Sequence, residues 1–217
     1  MKEKDIVEKL IGLKKEVNTL SQKEVVQLIA VSKTKPVSDI EAALKANHRL
    51  FGENKVQEAA EKWPELKQRY PDVQLHLIGG LQKNKVRKAI GLFDVIQTLD
   101  RKSLAEAIAR ISIEEAKIPQ LYIQINIGRE PQKSGILPEE VEDFYQYCSQ
   151  DLGLKIIGLM AIPPVGEDAK AYFVKLKEYQ KMLSLPYLSM GMSADYREAI
   201  KQGATHIRLG QAIFGGR

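Results

Sequence analysis

Lys33 closes the apolar run Leu28-Ile-Ala-Val-Ser-Lys-Thr-Lys-Pro36, and Pro36 keeps that run from continuing as a laddered strand. A lysine delivered to the tip of a buried strand is desolvated, which lowers the pKa of its ammonium. A neutral lysine amine can capture an aldehyde as a Schiff base. The alternative is that Lys33 and Lys35 are solvated loop charges, and this segment alone leaves both readings open.

A second chemistry sits near the carboxyl terminus. In Ser189-Met-Gly-Met-Ser-Ala-Asp-Tyr-Arg-Glu198 a strand ends, a glycine turns the chain, and Ser193 falls at an expected helix N-cap. A helix start offers free backbone amides and a positive dipole end to a phosphate. Arg208-Leu-Gly210 supplies another glycine-lined corner where an amide can approach an anion. Each loop alone reads equally as a capped helix and a turn. Taken with a strand-tip lysine, they suggest a ligand carrying both an aldehyde and a phosphate, which is the pairing of pyridoxal 5′-phosphate.

The elements that must position these residues alternate between two periodicities. Short β-branched or apolar runs occupy 26–31, 49–51, 74–78, 94–97, 120–126, 155–159, 187–189 and 206–209. Stretches with apolar residues three and four apart lie between them, for example Leu104, Ala107, Ile108 and Ile111, and an amphipathic segment over 6–20 precedes the first strand. Eight strands, each but the last followed by a helix, predict parallel pairing in a (β/α)8 TIM-type barrel, with a doubly wound open sheet as the alternative. No linker or shift of composition divides the chain, so 1–217 reads as a single domain. In such a barrel, function belongs to the loops after the strands, and the loops after strands seven and eight commonly hold a phosphate.

Composition narrows the setting. The 217 residues are 44% hydrophobic and 28% charged, as in an ordinary soluble globular protein. The lone Cys148 excludes an internal disulfide and a metal-ligand pattern. No apolar run is long enough to span a bilayer and the amino terminus lacks a signal pattern, so a cytoplasmic protein with no membrane partner is expected. The net charge of +5 fits an anionic small molecule or a nucleic acid, but most lysines interleave with glutamates as on a solvated face. Lys83-Asn-Lys-Val-Arg-Lys88 has no interleaved aromatics for base stacking, which argues against nucleic acid.

Several motifs together resemble one family. Ala30-Val-Ser-Lys-Thr-Lys-Pro36, Phe51-Gly-Glu-Asn54 with Val56-Gln-Glu58, His76-Leu-Ile-Gly79 with Leu81-Gln82 and Asn84-Lys85, and the ending over 189–215 are similar to the YggS/PROSC pyridoxal phosphate homeostasis proteins. The likeness runs in order from about residue 28 to the end of the chain. It implies a fold-type-III barrel like that of alanine racemase and a chain that binds pyridoxal 5′-phosphate in intracellular cofactor and amino-acid homeostasis. It assigns the Schiff base to Lys33 rather than Lys35, the phosphate cup to Ser193, Gly210 and Gln211, and the pyridine nitrogen to Arg208. Asn54, His76 and Met190 complete the implied cofactor-binding set, and Lys133 matches a further lysine near the pocket entrance. Gly80 and Ala161 depart from the family pattern, which puts contacts on the substrate side in doubt.

Little or no catalysis is expected. The sequence stops at Arg217, after the last barrel strand, where similar racemase barrels continue into a domain tied to a second base. Two-face proton transfer needs that base, which leaves Tyr122 or Tyr187 as the barrel's own alternatives. An arginine at the ring nitrogen also weakens the electron sink that carbanion chemistry uses. A monomeric carrier that supplies apo-enzymes is therefore favoured, with a weak amino-acid racemase as the alternative. His48, His76 and His206 lack metal-ligand spacing and read as core or pocket residues. Cys148 reads as a small buried hydrophobe, and Trp63 beside Pro64 as packing at a helix end.

Overall fold

In a computed structural model that describes residues 2–21 and 25–216, eight parallel strands close into a barrel in chain order. The strands are β1 (Gln27–Val31), β2 (Leu50–Glu53), β3 (Gln74–Leu77), β4 (Val95–Leu99), β5 (Gln120–Ile125), β6 (Ile156–Ala161), β7 (Tyr187–Ser189) and β8 (His206–Leu209). Each of the runs read from sequence is a strand, displaced at its ends by two residues at most. Closure is made where β1 pairs with β8 in parallel, Gln27 facing His206 and Ala30 facing Leu209. That pairing excludes the open-sheet alternative.

The helices are α1 (Lys2–Leu20), α2 (Val37–Lys45), α3 (Val56–Arg69), α4 (Val86–Leu92), α5 (Lys102–Glu114), α6 (Val141–Gln146), α7 (Ala169–Met182), α8 (Tyr196–Lys201) and α9 (Gln211–Phe214). The last strand is followed by a helix after all, although α9 is a single turn. Arg217 lies outside the described residues. α1 uses Ile6, Leu10 and Val17 as its buried stripe and packs on α2, α8 and α9, covering the seam between the first and last units.

Two apolar regions result. The main core lies between the sheet and the helices and includes Ile40, Phe51, Trp63, Leu66 and Phe173. A separate cluster of Val95, Tyr122 and Met160 shares the strand positions that point into the barrel. Around it those positions also carry His76, Gln97, Ser189, His206 and Arg208, all buried. A polar barrel interior is the unusual feature, since such interiors are mostly filled by branched aliphatics.

Trp63 differs from its sequence reading. It sits in the middle of α3, fully buried against Phe51 at 5.0 Å between ring centroids, and its indole N–H donates to Glu53 Oε1 at 3.1 Å. Pro64 follows inside the same helix. Cys148 is buried where α6 runs into a π-helical turn, in line with a small hydrophobe. No helix among the described residues is long and apolar enough to cross a membrane.

Candidate functional site

Seven of the eight residues singled out from sequence stand at the carboxyl end of the barrel. Lys33 and Asn54 follow β1 and β2, Met190 and Ser193 follow β7, Gly210 and Gln211 follow β8, and Arg208 is the third residue of β8. Lys33, Gly210 and Gln211 line one cavity of about 240 Å³, with Val31 and the Gly215-Gly216 backbone. His76 is the exception. It is the third residue of β3, yet its side chain lines a larger cavity, about 450 Å³, at the opposite end of the barrel.

Lys33 was expected to be buried; it is exposed in a turn beyond the strand. The residue before it, Ser32, is fully buried on the helix side of the sheet with Ala30. The turn itself is held rigidly. Ser32 Oγ donates to Glu53 Oε1 at 2.7 Å, and Lys62 Nζ sits 2.7 Å from the same oxygen. Lys62 also donates to Ser32 O at 2.9 Å and to Glu58 Oε1 at 2.9 Å. Glu58 Oε1 in turn accepts the amide of Thr34 at 2.5 Å, and Thr34 has the left-handed φ of 62°. These hydrogen bonds offset part of the desolvation of the ion pair, although Glu53 Oε2 is buried with no partner among the described residues. Lys33 is thus presented from a fixed frame.

The frame also separates the two lysines. Lys35 Nζ donates to the carbonyls of Gly215 at 3.0 Å and Gly216 at 2.9 Å. Among the described residues Lys33 Nζ has no hydrogen-bond or ion-pair partner. Lys133, in the loop after β5, is committed to Glu130 at 2.5 Å and to the carbonyl of Pro163 at 3.0 Å. A free amine is what capture of an aldehyde requires.

The turn after β7 departs from the expected N-cap. Asp195, not Ser193, holds that position at the start of α8, and its Oδ1 accepts the Met192 amide at 2.6 Å. Ser193 stays half-buried two residues upstream, with its hydroxyl uncommitted among the described residues. Gly191 makes this loop possible. Its φ is +92°, and a Cβ there would come within 2.6 Å of Ala199 Cβ. At Gly210 a Cβ would lie 3.1 Å from the carbonyl oxygen of Val31, so glycine keeps the β1 and β8 ends close together.

Arg208 is buried inside the barrel. Its Nη2 donates to the carbonyl of Ala161 at 3.0 Å and its Nη1 to Ser189 Oγ at 2.8 Å. Burial draws its pKa down to about 10, opposed by the Asp195 carboxylate, so it remains cationic at neutral pH. Ala161, one of the two departures from the family pattern, therefore contributes its backbone to Arg208, while Gly80 is exposed beyond β3. Asn54 Oδ1 is buried with no hydrogen-bond partner among the described residues. An orphaned acceptor of this kind asks for a ligand donor. Sequence reasoning missed Ser32, Glu53, Glu58, Lys62, Gln97 and Ser189. Polar residues inside otherwise apolar strands were the available signal.

These features define a closed parallel barrel whose carboxyl end gathers a free lysine, a buried arginine and glycine-lined corners. Residues 12–217 match the model of the alanine racemase N-terminal domain. A Synechocystis pyridoxal phosphate homeostasis protein is 43% identical over 201 residues, covering 88% of this chain and 92% of the relative. PipY of Synechococcus elongatus, solved with PLP bound, is 39% identical and superimposes with a TM-score of 0.85 over 97% of this chain and 100% of its own. Alanine racemase of Clostridium difficile shares the barrel alone, at 15% identity and a TM-score of 0.75 over 99% of this chain and 57% of the racemase. The chain belongs to the alanine racemase N-terminal-domain family and, within it, to the pyridoxal phosphate homeostasis proteins.

Proposed function

We propose that this chain holds pyridoxal 5′-phosphate on Lys33 and releases it, serving intracellular cofactor and amino-acid homeostasis rather than turning over a substrate. The observation that carries this reading is the uncommitted Lys33 Nζ beside Gly210 and Gln211, whereas Lys35, which lines the same cavity, is hydrogen-bonded to Gly215 and Gly216, and Lys133 to Pro163. When bound, the cofactor supplies an aldehyde that a lysine amine captures reversibly as a Schiff base.

The chain's residues divide the remaining work. The amides at Gly210 and Gln211 and the hydroxyl of Ser193 would take the phosphate, and Arg208 would donate to the ring nitrogen. Asn54 Oδ1 would accept from the ring's substituents. A guanidinium that stays charged keeps its own proton, so it orients the ring without protonating it. The exposure of Lys33 leaves the linkage open to water and incoming amines, as suits a carrier that passes its load to apo-enzymes.

The racemase alternative is weakened by the position of its tyrosines. Tyr122 and Tyr187 line the cavity at the amino end with His76 and His206, not the end where Lys33 stands. Burial also raises the Tyr122 hydroxyl far above its ordinary pKa. Neither is placed as a proton donor opposite Lys33. Titration of the purified protein with pyridoxal 5′-phosphate tests the proposal: the wild type gains a visible absorbance band that Lys33→Ala lacks. A wild type without the band, or an equal band in Lys33→Ala, would sink it. Deuterium exchange at the α-carbon of a panel of amino acids would reinstate the racemase.

A further inference from the structure

We propose that the cavity at the amino end of the barrel is a second small-molecule site, for a flat uncharged ring bearing a hydrogen-bond acceptor, linked to Arg208 through Gln97 and Ser189. The cavity draws its lining from all eight strands, mostly at their amino ends, and so lies on the barrel axis, at the end away from Lys33. Its volume of about 450 Å³ is within the range of small-molecule pockets.

The acceptor requirement follows from the hydrogen-bond chain in the side-chain orientations of this structure. Arginine has donors only, so Ser189 Oγ accepts from Arg208 Nη1 at 2.8 Å. The serine's single proton then goes to Gln97 Oε1 at 2.6 Å. In this orientation the amide Nε2 donates to His76 Nδ1 at 2.7 Å. Nδ1 is therefore the lone-pair nitrogen and the imidazole proton sits on Nε2. Among the described residues this N–H has no acceptor, on a side chain that lines the cavity. The N–H therefore opens to the cavity, where a ligand acceptor would take the place of water.

Shape and charge follow from the rest of the lining. Tyr122, Tyr187 and His206 form an aromatic wall, with His206 edge-on to Tyr122 at 5.9 Å and to Tyr187 at 5.3 Å, and His76 6.0 Å from His206. Such walls favour a flat ring. No net charge faces it. Arg49 is matched by Asp72 at 2.7 Å, and burial holds His76 down to about 3 and His206 to about 4, both neutral at pH 7. The coupling to Arg208 rests on the function proposed above, whereas the site itself does not.

Long-range 1H–15N correlation of the three imidazoles tests both parts on the full-length, cofactor-free protein, with nicotinamide as the probe. His76 is expected as the neutral Nε2–H tautomer. Nicotinamide should shift His76 and His206 saturably while leaving His48, outside the cavity, unmoved. The anionic nicotinate should bind more weakly, and His76→Phe should abolish the His206 shift with the circular dichroism unchanged. An Nδ1–H tautomer, or no saturable shift by about 10 mM probe, the weak end of fragment affinity, would overturn the site. Saturating probe should also change the apparent affinity for pyridoxal 5′-phosphate about five-fold or more, an effect lost in Gln97→Leu. An unchanged affinity, or coupling retained in Gln97→Leu, would overturn the link. Failure of pyridoxal 5′-phosphate to bind at all would instead defeat the proposed function, and the imidazole shifts would still decide the site.

Discussion

Lys62 Nζ lies 2.7 Å from Glu53 Oε1, and the carboxylate is fully buried beneath the turn that carries Lys33. Removing one partner strands the other as an uncompensated buried charge. Lys62→Ala and Glu53→Ala are each expected to cost about 3–5 kcal/mol, measured by urea unfolding. The double variant Glu53→Leu/Lys62→Met should lose less than the sum of the two. Additive losses would show that the two groups do not work as a pair.

The turn after β7 depends on the positive φ of Gly191 and on its contact with α8. Gly191→Ala should destabilise the fold by about 1–3 kcal/mol and weaken pyridoxal 5′-phosphate binding, because the backbone that would face the phosphate must shift. Calorimetry with a cofactor titration checks both. An unaffected melting temperature with full binding would mean that the loop tolerates a side chain.

Much of this architecture was legible in the sequence, and the exceptions have physical causes. The eight strands showed themselves because runs such as 28–31 and 121–123 are buried on both faces, so their residues are apolar without interruption. Lys33 was expected to be buried because it ends an apolar run, yet the strand stops at Val31 and Lys33 stands in an exposed turn. Ser193 matched a cap by type, but Asp195 takes the N-cap position and its carboxylate ties back to the Met192 amide, a choice set by three-dimensional geometry. His76 belonged to the right motif and stands at the other end of the barrel. Sequence places a residue on a strand; its distance along the barrel axis depends on register.

Acid should unfold this protein through its histidines. Burial lowers the pKa of His48 to about 4, of His76 to about 3 and of His206 to about 4, each from an ordinary 6.5. The folded state keeps them neutral while the unfolded chain takes up protons below about pH 6.5. Their contribution is present above that pH and is lost as pH falls toward 4, with a limiting slope of about 1.4 kcal/mol per pH unit for each histidine. Urea midpoints from pH 7 to pH 4 should therefore fall, and His48→Gln should flatten the decline. An identical slope in that variant would remove His48 from the account.

Cys148 is buried and its thiol is pushed up to about 12 by desolvation. A thiol-reactive disulfide reagent should modify it slowly in the native protein and at once in urea. Rapid native labelling would show that the π-helical turn opens readily.

The central claim is that Lys33, free and facing Gly210 and Gln211, is the cofactor's tether. Borohydride reduction of the cofactor-loaded protein followed by peptide mass spectrometry tests it most directly. The account predicts a single phosphopyridoxyl adduct on Lys33, with Lys35 and Lys133 unmodified. An adduct on Lys35 or Lys133, or none on Lys33 in a protein that nonetheless binds the cofactor, would contradict it.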